Sequence, residues 1–151
     1  MRQHVLLVAA LVLASSAVQP LGADPFKKSY AFELDKWYEI DAESGPVKLY
    51  RIRVERQSGT TLKSRLTRVH TDFATDVQIQ IEYSNKSSKD WKGKMRIVWV
   101  DEKGEPIDGY IGTESYGEET KHEVQTMLMS TLKYGLLHAR KLEVEISVEK
   151  D

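Results

Sequence analysis

The chain has no cysteine among its 151 residues, and this absence excludes two ways in which exported proteins are stabilised or anchored. Disulfide bonds, which stabilise many small secreted domains, cannot form. Lipid attachment to the cysteine that follows the signal of a bacterial lipoprotein is excluded as well. We therefore expect a protein that is not a lipoprotein and whose folded part depends on its own hydrophobic core.

Long hydrophobic runs are also scarce, since the most apolar run covers only residues 5–13. A helix of that length is too short for a hydrocarbon core that needs about 20 residues. A charged start precedes the run and small or polar residues follow it as far as Ala23, a pattern typical of a cleaved secretory signal. We therefore expect residues 1–23 to be a signal peptide and residues 24–151 to be one domain, with a retained N-terminal anchor as the alternative.

The position of cleavage stays open between two sites. Ala17 follows the small residues Ser15 and Ser16, whereas Ala23 follows the larger Leu21 two positions earlier. Both sites release the same domain, and no later segment is long and apolar enough to span a membrane. The expected location is therefore the periplasm or the extracellular space.

A large excess of charge of one sign is absent too, because 22 basic residues face 23 acidic ones. This balance excludes a globally basic nucleic-acid binder and an acidic tail. The charges are nevertheless separated along the chain. Residues 48–68 hold seven basic residues and one acidic residue, and residues 101–123 hold eight acidic residues and two basic ones. The protein is expected to bind no nucleic acid.

Alternation of apolar and polar residues is the main pattern that the sequence does contain. Residues 77–83 and 141–148 alternate strictly, which predicts strands with one buried face and one solvated face. In residues 47–56 the phase changes, which predicts a β-bulge near Leu49 and Tyr50, with Tyr50 on the same face as Ile52. Short strands at regular spacing predict a mainly β protein, an antiparallel Ig-like β-sandwich of seven to eight strands with one short helix.

Residues 120–140 fit two structures. Alternation at His122, Val124, Thr126 and Leu128 favours a strand followed by a helical turn. A single long helix, which would make the protein α+β, is the alternative and would be capped by Thr120. Gly135 would then lie inside that helix and cost about 1 kcal/mol, so the strand is preferred.

Two segments resemble bacterial envelope Ig-like domains of the FxLYD type. Residues 77–85 form a strand that ends in Ser84-Asn85, and residues 101–107 form an Asp-Glu-Lys-Gly turn after the next strand. Lys86 and Ser87 follow Asn85, where those domains have Asn-Ser or Asn-Thr. The resemblance covers about 30 residues and implies an accessory or interaction role without catalytic residues. Asn85-Lys86-Ser87 is also a glycosylation sequon.

Motifs for catalysis or metal binding are incomplete. No Gly-x-Ser-x-Gly is present, and residues 115–117 lack its first glycine. His122-Glu123 begins like a zinc-binding helix, but Thr126 stands where the second histidine belongs. His70, Asp72 and Asp76 contain suitable ligand types, yet capping of polar turns explains them equally. We expect no catalytic residue, cofactor or metal, and hence a protein that is not an enzyme.

A candidate partner-binding basic face consists of Arg51, Arg53 and Arg65. Arg51 and Arg53 alternate with apolar residues on the predicted solvent face of their strand, where they are suited to an anionic partner. Pairing with acidic residues on a neighbouring strand is the alternative.

A candidate ligand platform consists of Trp37, Trp91 and Tyr116, because flat rings stack on sugars. Burial of these rings in the core is the alternative, and it is the usual place for large aromatics in a domain of this size. The sequence therefore favours an exported, soluble, non-enzymatic accessory or protein-interaction domain. A carbohydrate- or small-ligand-binding module is the second hypothesis.

Overall fold

The computed structural model describes residues 25–57 and 73–151, and all structural statements below concern those residues. They form eight strands and one short helix. The strands are β1 (Phe26–Ala31), β2 (Tyr38–Ser44), β3 (Val47–Arg56), β4 (Ala74–Asn85), β5 (Trp91–Val100), β6 (Pro106–Tyr116), β7 (Thr120–Leu132) and β8 (Lys141–Lys150). The helix α1 (Lys133–His138) lies between β7 and β8.

The strands form two four-stranded antiparallel sheets. Sheet I has the order β1-β8-β5-β6, and sheet II has the order β2-β3-β4-β7. The predicted β-sandwich is therefore confirmed, including its strand count and its short helix. The predicted signal peptide, residues 1–23, lies outside the described residues. Within the described part of the chain, no helix is long and apolar enough to cross a membrane.

The core lies between the two sheets and follows from alternation on β4, whereas the end of β5 is buried on both faces. Ile79 and Ile81 of β4 and Ile97 and Trp99 of β5 are completely buried. Gln80, between Ile79 and Ile81, is half-buried on the outer face. Burial of each such aliphatic side chain stabilises the fold by about 1.5–3 kcal/mol. The buried core thus provides the stability that disulfide bonds provide in many other exported domains.

The predicted bulge is present in β3, where the register with β4 shifts between Leu49 and Arg51. Leu49 and Ile52 are both buried although they are three residues apart, because the bulge adds one residue. Tyr50 and Arg51 consequently both face outward. The expectation that Tyr50 shares the buried face of Ile52 was wrong, since the extra residue reverses the phase at Tyr50 itself.

Residues 120–132 are a strand, as preferred from the sequence, and the alternative long helix is wrong. β7 pairs along nearly its whole length with β4, from Asn85–Thr120 to Ala74–Leu132. Gly135 is buried in α1, and a Cβ atom at this position would lie 2.7 Å from Cγ2 of Ile107. The glycine therefore allows the short helix to pack closely on sheet I.

The Asn85 side chain is completely buried, so its glycosylation sequon is closed in the folded protein. Its Nδ2 donates hydrogen bonds to the carbonyl oxygens of Lys89 (2.9 Å) and Tyr116 (3.0 Å), and its Oδ1 accepts one from the Ser87 main chain (2.9 Å). The amide that a glycan would modify is thus committed to holding the β4–β5 turn.

Candidate functional site

The outward face of sheet II carries a cluster of one tryptophan and two arginines, here called the Trp37 cluster (Trp37, Arg51 and Arg53). Trp37 precedes β2, and both arginines lie on β3. The guanidinium carbons of Arg51 and Arg53 are each 4.6 Å from the centre of the Trp37 ring. At such distances each cation is attracted to the ring by about 0.5–1 kcal/mol at an exposed site.

Side chains of β4 hold both arginines in this position. Arg51 donates from Nε to Oε2 of Glu82 at 2.5 Å, and Arg53 donates from Nε to Oε1 of Gln80 at 2.7 Å. A further ion pair joins Arg53 to Glu55 at 3.0 Å. Exposed ion pairs contribute only about 0–1 kcal/mol each, so their main consequence is a fixed orientation of the two guanidinium groups.

The same face continues towards β7 through Glu82 and His122. Glu82 Oε1 lies 2.7 Å from Nδ1 of His122, so one carboxylate contacts both Arg51 and His122. The His122 ring stacks on Tyr50 with centroids 4.3 Å apart. A continuous row of planar groups therefore runs across sheet II from Trp37 to His122.

His122 adopts an unusual main-chain conformation, with φ at +51°. Non-glycine residues in this left-handed region cost about 1–2 kcal/mol. The conformation is held by a hydrogen bond that the His122 main-chain N donates to Oγ of Ser84 at 2.9 Å. Such strained residues concentrate at functional sites, and the His122 imidazole stacks on Tyr50.

The charge of Glu82 is stabilised on this face. Burial by itself would raise the pKa of Glu82, but hydrogen bonds with His122 and Arg51, together with their charges, lower the pKa below its ordinary value. The side chain is only 12% exposed. Glu82 therefore remains a carboxylate and anchors the two groups beside it.

The predicted basic face is present only in a modified form. Arg51 and Arg53 do lie together on the outward face, but Glu82 of the neighbouring strand pairs with Arg51, as the alternative interpretation anticipated. Arg53 pairs with Glu55 of its own strand. Arg65 lies outside the described residues, as do His70 and Asp72. The face is therefore a mixed surface of planar groups and paired charges, in which the Arg51 side chain is 42% exposed.

The predicted platform of Trp37, Trp91 and Tyr116 is wrong, because the three rings do not share an open face. Tyr116 is completely buried. Trp91 packs over Gly45, where a Cβ atom would lie 2.9 Å from its Cη2. Trp37 lies on sheet II and faces the two arginines instead. The structure thus places Tyr116 in the core, the usual place for large aromatics, and leaves Trp91 partly buried against the core.

A separate apolar cleft of about 310 Å³ lies between the edge of sheet II at β2 and strand β8 of sheet I. Its apolar lining consists of Phe26, Ala42, Leu49, Ile146 and Val148. Pockets of this size and lining are at the lower limit for small-molecule sites.

Groups for metal chemistry do not converge within the described ranges. There, no three histidine or acidic side chains are placed so that they would hold a metal ion. Asp76 is described but its suggested companions, His70 and Asp72, are not, so that trio stays untested.

Comparison with known proteins adds little to this picture. No protein-family model matches the chain, and no curated protein matches it. Among solved structures, it is similar to the Avr2 effector protein from the fungal plant pathogen Fusarium oxysporum, at 8% sequence identity and a TM-score of 0.35. The similarity covers 88% of this chain and 93% of that one.

Sequence reasoning missed three members of the site: Tyr50, Glu82 and His122. Glu82 and His122 are 40 residues apart and meet only through the pairing of β4 with β7. The one available signal was the position of Glu82, which alternates with buried residues on the most regular strand. That pattern indicates an outward side chain but no partner.

Proposed function

We propose that this protein is an exported, non-enzymatic accessory domain that binds a protein partner through the Trp37 cluster and the adjacent Tyr50 and His122. The placement of two guanidinium groups 4.6 Å from one indole ring carries the proposal. Export is supported by the signal-like pattern of residues 1–23. An interaction role also agrees with the FxLYD-type resemblance of residues 77–107.

The residue types on this face support the binding of a protein partner. Residues that dominate the binding energy of protein interfaces are most often tryptophan, tyrosine and arginine. Here all three types lie side by side on the outward face of sheet II: Tyr50, Arg51 and Arg53 lie on the paired strand β3, and Trp37 directly precedes β2. Flat rigid groups lose little conformational entropy when a partner covers them.

The fixed orientation of the arginine side chains also supports binding at this face. Immobilising a flexible side chain at an interface costs about 0.5–1.5 kcal/mol. Arg51 and Arg53 are already held by Glu82, Gln80 and Glu55, so most of this cost is met on folding. A partner with carboxylates beside an apolar patch would complement the exposed guanidinium edges and the Trp37 ring.

The test compares capture of extracellular or periplasmic proteins by the immobilised wild-type chain and by Arg51→Ala combined with Arg53→Ala. Loss of a central arginine contact costs about 2 kcal/mol, so bound partner should fall about 30-fold. The matched control is Arg96→Ala on sheet I, because Arg96 also forms an exposed cross-strand pair, at 3.1 Å from Glu143.

A third variant separates charge from stacking. Arg51→Lys keeps the positive charge but loses the planar group over Trp37, so we expect reduced capture here as well. Equal capture by wild-type, the double variant and Arg96→Ala would refute the proposal. Circular dichroism of each variant shows whether the sandwich is intact.

A small apolar ligand is the second candidate, supported by the cleft of about 310 Å³. Ala42→Phe would fill this cleft from β2. Binding of an environment-sensitive apolar dye by wild-type and its loss in Ala42→Phe would favour this function. Retention of dye binding in Ala42→Phe would exclude the cleft.

A further inference from the structure

Three contacts fix the His122 imidazole on the outward face of sheet II. Its Nδ1 lies 2.7 Å from Oε1 of Glu82, and its ring stacks on Tyr50 with 23° between the two planes. Its main-chain N donates to Oγ of Ser84, and this Oγ also lies 3.1 Å from the Tyr50 hydroxyl. His122 belongs to β7, but residues of β3 and β4 therefore determine where its ring lies.

The contact with Glu82 determines which ring nitrogen carries the proton in the neutral histidine. A carboxylate only accepts hydrogen bonds, and the pKa of Glu82 lies below its ordinary value, so this group is ionised near neutral pH. Nδ1 must therefore donate, which leaves Nε2 of the neutral ring as an acceptor. When the ring gains a second proton, Nε2 becomes a donor and the ring becomes a cation.

The Nε2 side of the ring faces solvent. The His122 side chain is 52% exposed, whereas the Glu82 side chain is only 12% exposed. Nδ1 is directed to that nearly buried carboxylate, and one face of the ring lies on Tyr50. A molecule that covers this part of sheet II therefore meets His122 at Nε2.

The charged groups of β3 and β4 beside the imidazole are already paired. Glu82 is shared between His122 and Arg51, whose Nε lies 2.5 Å from Oε2. Lys48 lies 5.4 Å from the centre of the Tyr50 ring. Its ammonium group pairs with two acids of β2, Asp41 and Glu43. Acids, lysine and arginine do not ordinarily change charge between about pH 5 and 8.

The other charged residues beside His122 are its chain neighbours on β7, Lys121 and Glu123. Their charges are opposite, and the Glu123 side chain is hydrogen-bonded with the Tyr83 hydroxyl. Histidine is the side-chain type whose charge ordinarily changes between about pH 5 and 8. Among all these groups, His122 is therefore the one through which this face can respond to pH.

We propose that His122 binds a carboxylate of the protein partner through Nε2 and takes up a proton from solvent when it does so. The inference rests on the proposed partner-binding function and adds the chemistry of one contact. The bound imidazolium would lie between two carboxylates, with Glu82 at Nδ1 and the partner's group at Nε2. Each opposite charge at such a distance favours the charged form of the ring.

A carboxylate is favoured over a hydrogen-bond donor because of the two arginines on the same face. A guanidinium group only donates hydrogen bonds, so the partner has to offer acceptors to Arg51 and Arg53. A protonated His122 adds a further donor to this row. A neutral His122 would instead place an acceptor beside the acceptors of the partner. Acceptors that carry negative charge satisfy all three side chains.

Proton uptake gives partner binding a pH dependence of definite sign. A complex that holds one proton more than its separate components becomes tighter as the pH falls. A close opposite charge favours the charged form by about tenfold or more. The dissociation constant should therefore be about tenfold lower at about pH 5.5 than at about pH 8.

An acidic peptide tests this on the full chain. The probe is a fluorescently labelled peptide in which aspartate and leucine alternate, and fluorescence polarisation measures its binding at about pH 5.5 and about pH 8, where aspartate is ionised. We expect binding by the wild-type chain that is about tenfold tighter at the lower pH. A peptide with asparagine in place of aspartate should bind weakly at both, and equal binding of the two peptides would overturn the proposed carboxylate contact.

His122→Asn and His138→Asn form a matched pair of variants. Asparagine does not titrate and tolerates the positive φ of residue 122, so His122→Asn should bind the acidic peptide equally at both pH values. His138 is also exposed. It stacks on Tyr134 with centroids 3.9 Å apart, and its Nδ1 lies 2.9 Å from the Tyr134 carbonyl oxygen. His138→Asn should keep the wild-type pH dependence.

The outcomes distinguish the role of His122 from the function on which it rests. Absence of binding by the wild-type chain at both pH values would overturn the partner-binding function together with this inference. Binding that Arg51→Ala combined with Arg53→Ala abolishes, but that does not vary with pH, would overturn only the role of His122. An unchanged pH dependence in His122→Asn would do the same.

Long-range proton–nitrogen NMR of the full chain provides a measurement that needs no partner. We expect the neutral His122 ring to carry its proton on Nδ1, because Glu82 accepts from that atom. Glu82→Gln removes the carboxylate and should shift the population towards the Nε2 tautomer. A wild-type neutral ring protonated on Nε2 would contradict the proposed contact even if the peptide binds.

Discussion

The rings of Tyr83 and Tyr116 pack in the core with centroids 4.7 Å apart, but their hydroxyl groups differ in hydrogen bonding. The Tyr83 hydroxyl accepts a hydrogen bond from the main-chain N of Gly117 at 3.2 Å. The buried Tyr116 hydroxyl has no hydrogen-bond partner among the described residues. Burial raises the pKa of Tyr116 well above its ordinary value.

Replacing these two tyrosines with phenylalanine should therefore have opposite effects on stability. Tyr116→Phe removes a buried hydroxyl without a partner and should leave the free energy of unfolding unchanged or raise it by up to about 1–3 kcal/mol. Tyr83→Phe leaves the Gly117 N–H unpaired and should lower it by about 1–2 kcal/mol. Urea unfolding followed by circular dichroism measures both, and a larger loss for Tyr116→Phe would contradict this account.

Asn85 should be one of the most sensitive polar positions. Asn85→Ala leaves the carbonyl oxygens of Lys89 and Tyr116 and the Ser87 N–H without their partner, and should cost about 2–4 kcal/mol of unfolding free energy. Asn85→Asp keeps the acceptor for Ser87 but loses both donors, so it should also destabilise. Ser88→Ala in the same turn is the control and should change stability by less than about 0.5 kcal/mol.

Glu82 should make the stability of the protein depend on pH. Its pKa is lower in the folded protein than the ordinary value of 4.5, so the carboxylate stabilises the fold above that value. This contribution is lost as the pH falls through the folded pKa. The difference in unfolding free energy between wild-type and Glu82→Gln should therefore be largest near neutral pH and shrink below 4.5.

Glu149→Gln is the matched control for that measurement. Glu149 pairs with Lys94 at 2.8 Å on the surface of sheet I, and it is 49% exposed. Surface pairs of this kind contribute about 0–1 kcal/mol. A pH-dependent difference as large as that of Glu82→Gln would show that the network of Glu82, Arg51 and His122 on sheet II has no special role.

Two glycines should respond differently to replacement by alanine. At Gly109 a Cβ atom would lie 2.2 Å from the carbonyl oxygen of Ile97, a main-chain group of the central strand β5 that cannot yield. At Gly104 no atom lies within 4 Å, but φ is +84°.

Gly104→Ala should therefore cost about 1–2 kcal/mol through main-chain strain alone. Gly109→Ala should cost more, because β6 has to move away from β5. Thermal unfolding of both variants gives the comparison, and a milder effect at Gly109 would contradict the close approach of these strands.

The sequence by itself determined the class of the fold and most strand positions. Alternation with a period of two is a local property of the sequence. It already indicated the buried faces of residues 77–83 and 141–148. The phase change at Leu49 likewise indicated the bulge. The lack of cysteine likewise determined that the core had to provide the stability. These features require no knowledge of which strand lies beside which.

Only the tertiary structure decided the candidate site. The bulge turned Tyr50 outward beside Arg51, and the pairing of β4 with β7 brought His122 to Glu82. Tyr116 is buried in the core and Trp91 packs beside Gly45, so neither ring lies on one open face with Trp37. Such contacts join residues far apart in the chain, and a register shift of one residue reverses every outward face. Local pattern therefore cannot specify them.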